Sequence, residues 1–208
     1  MKPKRFVAGL TGGIGTGKSS ALAEFAKLGA PTVSLDRIAR EQSRPGRGGY
    51  RAIVRAFGRG VLDSAGEIDR RTLGDKVFRN PAARRKLERA THPLILREMQ
   101  RMLRLVEGVV IVDAPLLFEA GLQDRFDATF LVACRPAEQI RRVRRRDGLT
   151  APEARRRVAA QWPLAKKRAL ADYVLSNDGT PASLRAKVRA AHAGLALLHG
   201  GTPNGNAD

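Results

Sequence analysis

The sequence predicts an α/β fold in which a five-stranded parallel sheet is flanked by helices. Short apolar runs alternate with segments of helical spacing along most of the 208 residues. Such alternation is typical of right-handed strand–helix–strand crossovers. Several runs are continuous and rich in Val, Ile or Leu, as strands buried on both faces are. The predicted strands span residues 6–11, 32–35, 109–114, 129–134 and 173–176.

A glycine-rich loop follows the first predicted strand. Residues 12–19 read GGIGTGKS and match the pattern G-x-x-x-x-G-K-[ST] of phosphate-binding loops. Glycines have no Cβ, so consecutive backbone N–H groups can turn toward an anion. Leu22, Phe25 and Leu28 then follow at helical spacing, with Gly29 as a stop. The positive end of that helix would add to the attraction for phosphate.

The loop, called the phosphate loop below, predicts a nucleotide site. Lys18 can reach the β- and γ-phosphates, and the Ser19 hydroxyl can bind Mg²⁺, the expected metal cofactor. The residues predicted to contact the nucleotide here are Gly13, Ile14, Gly15, Thr16, Gly17, Lys18, Ser19 and Ser20.

Acidic residues stand at the ends of the second and third predicted strands. Because the carboxyl ends of parallel strands border the ligand crevice, we expect Asp36 beside the phosphate loop. Asp113 ends the apolar run 109–112, which is the pattern of the acidic residue that supports Mg²⁺ in nucleotide hydrolases. Asp36 is a candidate general base for an acceptor hydroxyl, and it is also suited to cap a helix over 37–42. Asp113 is open to three roles: supporting the water shell of Mg²⁺, hydrogen bonding to the substrate, or a structural role.

The interval of about seventy residues between the second and third strands is too long for a simple crossover. We predict a helical insertion over 37–105 that covers a second substrate, with breaks at 44–49, 57–60 and 80–81. His92 precedes Pro93, where we expect a helix boundary, and the residues alone favour a structural role for it.

The remaining chain, residues 1–36 and 106–199, is predicted to form the nucleotide-binding core. Its last helix should span 182–198, and the tail over 200–208 should be disordered.

A basic segment over about 141–168 predicts a mobile lid within the core. Arg142 and Arg146 are four residues apart and therefore share a helix face. Residues 147–150 interrupt the helix, and Thr150 is suited to cap the next one. A helix, a break and a basic helix are expected of a lid over a phosphate site. An arginine-rich solvated face would give the same pattern.

Composition narrows the function classes. The single cysteine, Cys134, allows no intrachain disulfide, and no apolar stretch reaches the roughly 20 residues of a membrane span. We therefore expect a cytoplasmic protein without a membrane partner. The net charge of +19 suggests nucleic acid, but aromatic residues are only 5% of the chain, too few for base-stacking platforms. We expect small-molecule substrates, no nucleic acid, and a monomer or weak homo-oligomer.

Taken together, the motifs resemble the dephospho-CoA kinase family over nearly the whole chain outside the tail. Residues 9–19 are similar to its N-terminal signature, and residues 113–119, DAPLLFE, carry the most diagnostic similarity. Further similar segments and residues are 36–40, 66–70, 91–95, Arg142, 146–147, Gln161, Lys167, 171–172 and Asn177.

The resemblance implies a P-loop kinase core and phosphorylation of the 3′-hydroxyl of the ribose of dephospho-CoA, with ATP as donor. It implies that Asp36 is the base and that Asn177 lies near the adenine. The lid arginines and Lys18 would contact phosphate, and the acceptor side would include Arg70, His92, Asp113 and Leu116. The family usually has Asp-x-Asp before the second helix, but here Ser34 replaces the first Asp.

Two other functions stay open on the residues alone. Another small P-loop kinase, acting on a nucleoside, nucleotide, sugar or shikimate-like acid, would explain the phosphate loop. The segment 113–119 and the long insertion argue against it. A nucleic-acid-binding ATPase would explain the charge, but it needs helicase-type motifs that the sequence lacks.

Overall fold

The fold comes from a computed structural model that describes residues 5–199, except for the side chain of Arg79. The tail predicted to be disordered, residues 200–208, lies outside the described residues. The described chain divides into two compact units. Ser34–Leu105 forms the helical unit, and the residues up to Val33 together with those from Val106 onward form the sheet unit.

One five-stranded sheet has the order β2-β3-β1-β4-β5. Its strands are β1 (Arg5–Gly12), β2 (Thr32–Ser34), β3 (Gly108–Asp113), β4 (Ala128–Ala133) and β5 (Tyr173–Ser176). The central strand β1 pairs in parallel with β3 and β4, and β4 pairs in parallel with β5. The predicted fold class is confirmed, because each predicted strand overlaps an observed one.

Helices follow most of the strands and fill the helical unit. They are α1 (Lys18–Lys27), α2 (Leu35–Gln42), α3 (Gly48–Phe57), α4 (Arg70–Arg79), α5 (Pro81–Leu103), α6 (Pro136–Asp147), α7 (Ala151–Ala159), α8 (Leu164–Arg168) and α9 (Pro181–Leu198). The predicted breaks fall at the junctions between helices, although 44–49 and 57–60 overlap the two ends of α3 and 80–81 overlaps the first residue of α5. Thr150 caps α7 in a reciprocal capping box with Glu153, as the sequence indicated for Thr150. No helix within residues 5–199 combines the length and the apolar character that crossing a membrane requires.

The core of the sheet unit lies between the sheet and the helices α1 and α9. Phe25 on α1 meets Phe130 on β4 edge to face, with 6.2 Å between the ring centroids. Leu10 and Val188 are also fully buried in this cluster. The packing fixes the direction of α1, and with it the position of the phosphate loop between β1 and α1. Cys134 is buried, as predicted, and burial raises the pKa of its thiol.

The helical unit has a separate small core. Ile53, Val61, Ile68 and Leu73 are buried in it, with partly buried apolar side chains packed around them. At Gly49 a Cβ would stand 2.6 Å from the carbonyl oxygen of Gln42, so α3 approaches α2 this closely only with glycine.

Two local predictions were wrong. His92 and Pro93 lie inside α5 and not at a helix boundary. A proline removes one backbone hydrogen bond, which the long helix tolerates because the turns on both sides of it stay paired. The cap of α2 is Ser34, whose hydroxyl accepts a hydrogen bond from the N–H of Arg37 at 3.4 Å. Asp36 therefore lies in the first turn of α2, where a negative charge favours the helix dipole.

Candidate active site

Two glycines of the phosphate loop have backbone conformations that other residues rarely adopt. Gly15 has φ +76° and Gly17 has φ +93°. A Cβ on Gly15 would lie 2.8 Å from the Val143 side chain, and one on Gly17 would overlap the amide of Asn177. Both positions therefore require glycine for conformation and for close packing against α6 and the end of β5.

Side chains hold the carbonyl groups of the loop from outside. Gln139 donates from Nε2 to the Ile14 carbonyl at 2.7 Å, and Asn177 donates from Nδ2 to the Thr16 carbonyl at 2.8 Å. In a planar trans peptide the N–H points away from the C=O. These two bonds therefore direct the N–H groups of Gly15 and Gly17 to the opposite side of the chain.

The loop is suited to bind an anion. No residue in the described part of the chain accepts a hydrogen bond from the backbone N–H of Gly15, Gly17, Lys18 or Ser19. The helix α1 has no side-chain cap and no acidic residue in its first turn. Free N–H groups at a helix N-terminus match the oxygens and the charge of phosphate. Among the predicted loop residues, Gly15, Gly17, Lys18 and Ser19 therefore offer N–H groups to an anion, whereas the N–H groups of Ile14, Thr16 and Ser20 are paired with Gln161, Gly13 and Gly17.

Lys18 forms an ion pair with Asp113, the last residue of β3. The two side chains are mostly buried, and the contact fixes the ammonium group beside the loop. An ammonium group has three donor hydrogens, so Lys18 can contact Asp113 and a phosphate oxygen together. Asp113 thus lies beside the loop lysine, and its role toward a metal ion or a substrate stays a prediction.

The donor set at this end of the loop also fits Mg²⁺. Within residues 5–199 no group of three or more His, Cys, Asp or Glu side chains could hold a metal ion. The nearby oxygen ligands are the Ser19 hydroxyl, on the first turn of α1, and the Asp113 carboxylate. Mg²⁺ usually keeps several waters and takes one or two protein ligands together with substrate phosphates, so a sparse set of this kind suits it.

The segment after Asp113 is fixed from two directions. Thr11 donates to the Pro115 carbonyl at 3.1 Å, and Lys167 on α8 donates to the same carbonyl at 3.3 Å. Lys167 is completely buried and lies 2.6 Å from the Glu119 carboxylate. Leu116 exposes 54% of its surface, so its side chain is accessible to a ligand.

The two predicted lid arginines have different surroundings. Arg142 donates to the Asn177 carbonyl at 2.9 Å, to the Thr16 carbonyl at 3.4 Å and to Glu138 at 2.6 Å. It therefore ties α6 to the phosphate loop and to the end of β5. Hydrogen bonds from Arg141 and Arg142 lower the pKa of Glu138 to about 2, so Glu138 is ionised at neutral pH.

Arg146 does not contact the loop. Its guanidinium lies 2.7 Å from Asp147, which also accepts a hydrogen bond from Arg157 at 2.7 Å. The hydrogen bond from Arg146 lowers the pKa of Asp147. The Arg146 side chain is 60% exposed and keeps donors free for a ligand.

A cleft of about 690 Å³ lies beside the loop in the sheet unit. Gly17, Ser20, Arg142, Asn177 and Arg185 are among its lining residues. Pockets for nucleotide-sized ligands are commonly 300–1,000 Å³, so this cleft has room for a nucleoside.

Three other predicted site residues belong to the helical unit. Asp36 is exposed, and His92 is half-buried near the middle of α5. Arg70 is the first residue of α4 and lines a mostly apolar cavity of about 250 Å³ within this unit, together with Ile53 and Leu73.

Sequence reasoning missed the roles of several polar side chains around the loop. Gln139 and Glu138 were not singled out. Gln139 stands four residues before Val143, so the two share one face of α6, and both are buried there. Gln161 and Lys167 were noted only as parts of a resemblance, and their contacts with the loop and with residues 115 and 119 were not foreseen.

Comparison with known proteins decides the family. A family model described as dephospho-CoA kinase matches residues 6–183. The chain belongs to the dephospho-CoA kinase family. A dephospho-CoA kinase from Geobacillus kaustophilus is 44% identical over 186 residues, which are 88% of this chain and 92% of that protein. As a member of this family the chain is a phosphotransferase with ATP as its donor substrate.

Solved structures agree with the family. A crystal structure from Thermus thermophilus is 35% identical, with a TM-score of 0.80, and covers 92% of this chain and 98% of that one. A dephospho-CoA kinase from Campylobacter jejuni is 26% identical, with a TM-score of 0.67, and covers 93% and 99%. The resemblance to the dephospho-CoA kinase family that the motifs indicated, including DAPLLFE at 113–119, is thereby confirmed.

Proposed function

We propose that this chain transfers the γ-phosphoryl group of ATP to the 3′-hydroxyl of the ribose of dephospho-CoA, giving coenzyme A and ADP. One observation carries the proposal: four unpaired N–H groups of the phosphate loop lie in the same unit as Lys18, Asp113 and the segment 113–119. The loop supplies the phosphoryl-donor site, and family membership indicates the acceptor.

Lys18 and the loop N–H groups bind the β- and γ-phosphates in this proposal. They stabilise the negative charge that spreads over the oxygens of the transferring group. The nucleoside occupies the cleft of about 690 Å³, with the adenine near Asn177. Arg142 keeps the loop and Asn177 in place. When the lid segment closes, Arg142 and Arg146 both contact phosphate.

Ser19 would hold Mg²⁺, with Asp113 acting through its water shell. When bound, Mg²⁺ neutralises part of the phosphate charge and orients the γ-phosphate. Within residues 5–199 no group of three or more His, Cys, Asp or Glu side chains could hold a metal ion, which agrees with a metal held largely by the nucleotide and water.

Asp36 acts as the general base in this proposal and takes the proton of the 3′-hydroxyl. Its carboxylate is exposed, and no hydrogen bond to it is found within the described residues, so its oxygens are free to accept a substrate proton. Ser34 caps α2 and cannot replace the missing Asp of the family pattern. Arg70, His92, Asp113 and Leu116 are proposed to contact the acceptor.

The test is product analysis by mass spectrometry with ATP, Mg²⁺ and dephospho-CoA. Adenosine, AMP and shikimate replace dephospho-CoA as alternative acceptors in separate reactions. We expect coenzyme A and ADP in equal amounts, with phosphorylation at the 3′-position, and no comparable turnover of the other acceptors. Consumption of ATP without formation of coenzyme A would contradict the proposal. A second control omits Mg²⁺ and adds a chelator, which should abolish turnover.

A further inference from the structure

Two glutamine side chains hold the backbone of Ile14, near the middle of the phosphate loop. Gln161 accepts a hydrogen bond from the Ile14 N–H at its Oε1, with 2.8 Å between the atoms. Gln139 donates from its Nε2 to the Ile14 carbonyl at 2.7 Å. One residue thus has both backbone groups bound to side chains that come from different parts of the chain.

These bonds fix two consecutive peptide planes of the loop. The bond from Ile14 N–H sets the plane between Gly13 and Ile14, and the bond to its carbonyl sets the next plane. The Ile14 N–H is paired with Gln161 and is therefore not offered to an anion in this arrangement. The Gly15 N–H, on the side opposite to Gln139, has no acceptor within residues 5–199. The two side chains therefore determine which N–H groups can bind phosphate.

The two glutamines come from differently placed elements. Gln139 is buried on α6, and a Cβ added to Gly13 would lie 2.7 Å from its amide nitrogen, so it is part of the fixed surface under the loop. Gln161 lies between α7 and α8, within the segment 141–168 predicted to be a lid. Its bond connects that segment directly to the loop.

We propose that Gln139, as donor to the Ile14 carbonyl, and Gln161, as acceptor from the Ile14 N–H, together position the phosphate loop for ATP. The two hydrogen bonds are called the Ile14 clamp here. The clamp makes Gln161 a positioning residue that links the 141–168 segment to nucleotide binding. The inference rests on the proposed function only in that ATP is the ligand. Neither glutamine is required to touch the nucleotide.

The first experiment removes the acceptor and measures both substrates. Gln161→Met keeps a side chain of similar length and replaces the amide oxygen by a thioether, which is only a weak acceptor. We expect the KM and the Kd for ATP to rise about fivefold, the effect of losing one hydrogen bond of ordinary strength. The KM for dephospho-CoA should be unchanged and kcat should fall by less than about twofold. The matched control is Gln100→Met, since Gln100 is exposed on α5 in the helical unit.

The second experiment uses the different chemistry of the two ends of the clamp. A carboxylate can accept a hydrogen bond but cannot donate one. Gln161→Glu should therefore keep the bond to the Ile14 N–H, whereas Gln139→Glu loses its bond and places a charge against the Ile14 carbonyl. Amide hydrogen exchange at Ile14 and the Tm are measured without nucleotide, so that repulsion of ATP by the new charge does not enter. We expect exchange at Ile14 to be about fivefold faster in Gln161→Met and unchanged in Gln161→Glu. Of the two glutamate variants, only Gln139→Glu should lower the Tm.

Three outcomes would overturn the clamp: an unchanged Kd for ATP in Gln161→Met, equal increases in both KM values, or equal effects of glutamate at the two positions. Gln161 is half-buried, so the test stands on this position alone if the variants of buried Gln139 do not fold. The ATP affinity is measured by calorimetry without acceptor. A wild-type chain that binds ATP but forms no coenzyme A would refute the proposed function and leave the clamp intact.

Discussion

The phosphate loop and the helical unit differ in how much of their candidate chemistry the protein itself arranges. Around the loop, Gln139, Asn177 and Arg142 bind backbone carbonyls, and Lys18 is paired with Asp113. In the helical unit, Asp36 and Arg70 are exposed, and His92 lies along a continuous helix. Contacts within the protein therefore position the donor site, whereas Asp36, Arg70 and His92 in the helical unit have no comparable network of contacts within the described residues.

The largest effect is expected at Lys18. Lys18→Met removes the charge beside the phosphates while keeping most of the apolar stem, and it leaves Asp113 without its partner. We expect kcat to fall by about 10²–10³, because a charged donor to the transferring group is lost. The measurement is steady-state kinetics with ATP and dephospho-CoA. Lys76→Met, an exposed lysine on α4, is the control and should behave as wild type. Activity near wild type in Lys18→Met would show that the loop is not the donor site.

Lys167 tests how much a buried ion pair of the sheet unit contributes to the stability of the fold. Lys167→Met leaves the Glu119 carboxylate without its cation and removes a donor to Pro115. We expect the free energy of unfolding to fall by about 3 kcal/mol, since breaking a buried ion pair leaves one charge uncompensated. Urea denaturation measures it. The double variant Lys167→Met with Glu119→Met should recover most of the loss, and no recovery would show that the pair is not coupled.

Asp36 is the corresponding test in the helical unit. Asp36→Asn keeps the size of the side chain but removes a proton acceptor, so kcat should fall by about 10² while the Kd for ATP stays the same. Calorimetry and steady-state kinetics separate the two quantities. Asp75→Asn, an exposed carboxylate on α4, is the matched control. If Asp36→Asn turns over normally, the general base must be sought elsewhere and the contrast between the two regions becomes sharper.

The sequence predicted best those features for which backbone geometry demands a residue type. The loop glycines were predictable because left-handed φ values and close packing exclude a Cβ at Gly15 and Gly17. Thr150 was predictable because a cap is a local contact with residues three positions away. The helix boundary at Pro93 was wrongly predicted, because one lost hydrogen bond does not end a helix of 23 residues.

Long-range polar contacts were not predictable from local patterns. Gln161 and Gln139 reach Ile14 over 147 and 125 residues of sequence, and nothing in their own neighbourhood indicates that they would meet there. Ser34 could be seen as a departure from the family pattern, but its role as the cap of α2 depends on where the helix begins.

The smallest expected effect concerns Glu138, which pairs with Arg142 beside the loop. The pKa of Glu138 in the fold, about 2, lies below its ordinary value of 4.5, so the ionised form is favoured by folding. Its contribution to stability is therefore fully present above pH 4.5 and is lost as the pH falls toward 2. The Tm of wild type should exceed that of Glu138→Gln by a constant small amount above about pH 5, and the two should converge at lower pH. The side chains of Arg142 and Glu138 stay 21% and 19% exposed, so solvent weakens the pair, and a shift of a few degrees at most is expected. A Tm difference that does not change between pH 7 and pH 3 would show that the charge of Glu138 does not stabilise the Arg142 contact, and that neutral hydrogen bonds suffice to keep Arg142 at the loop.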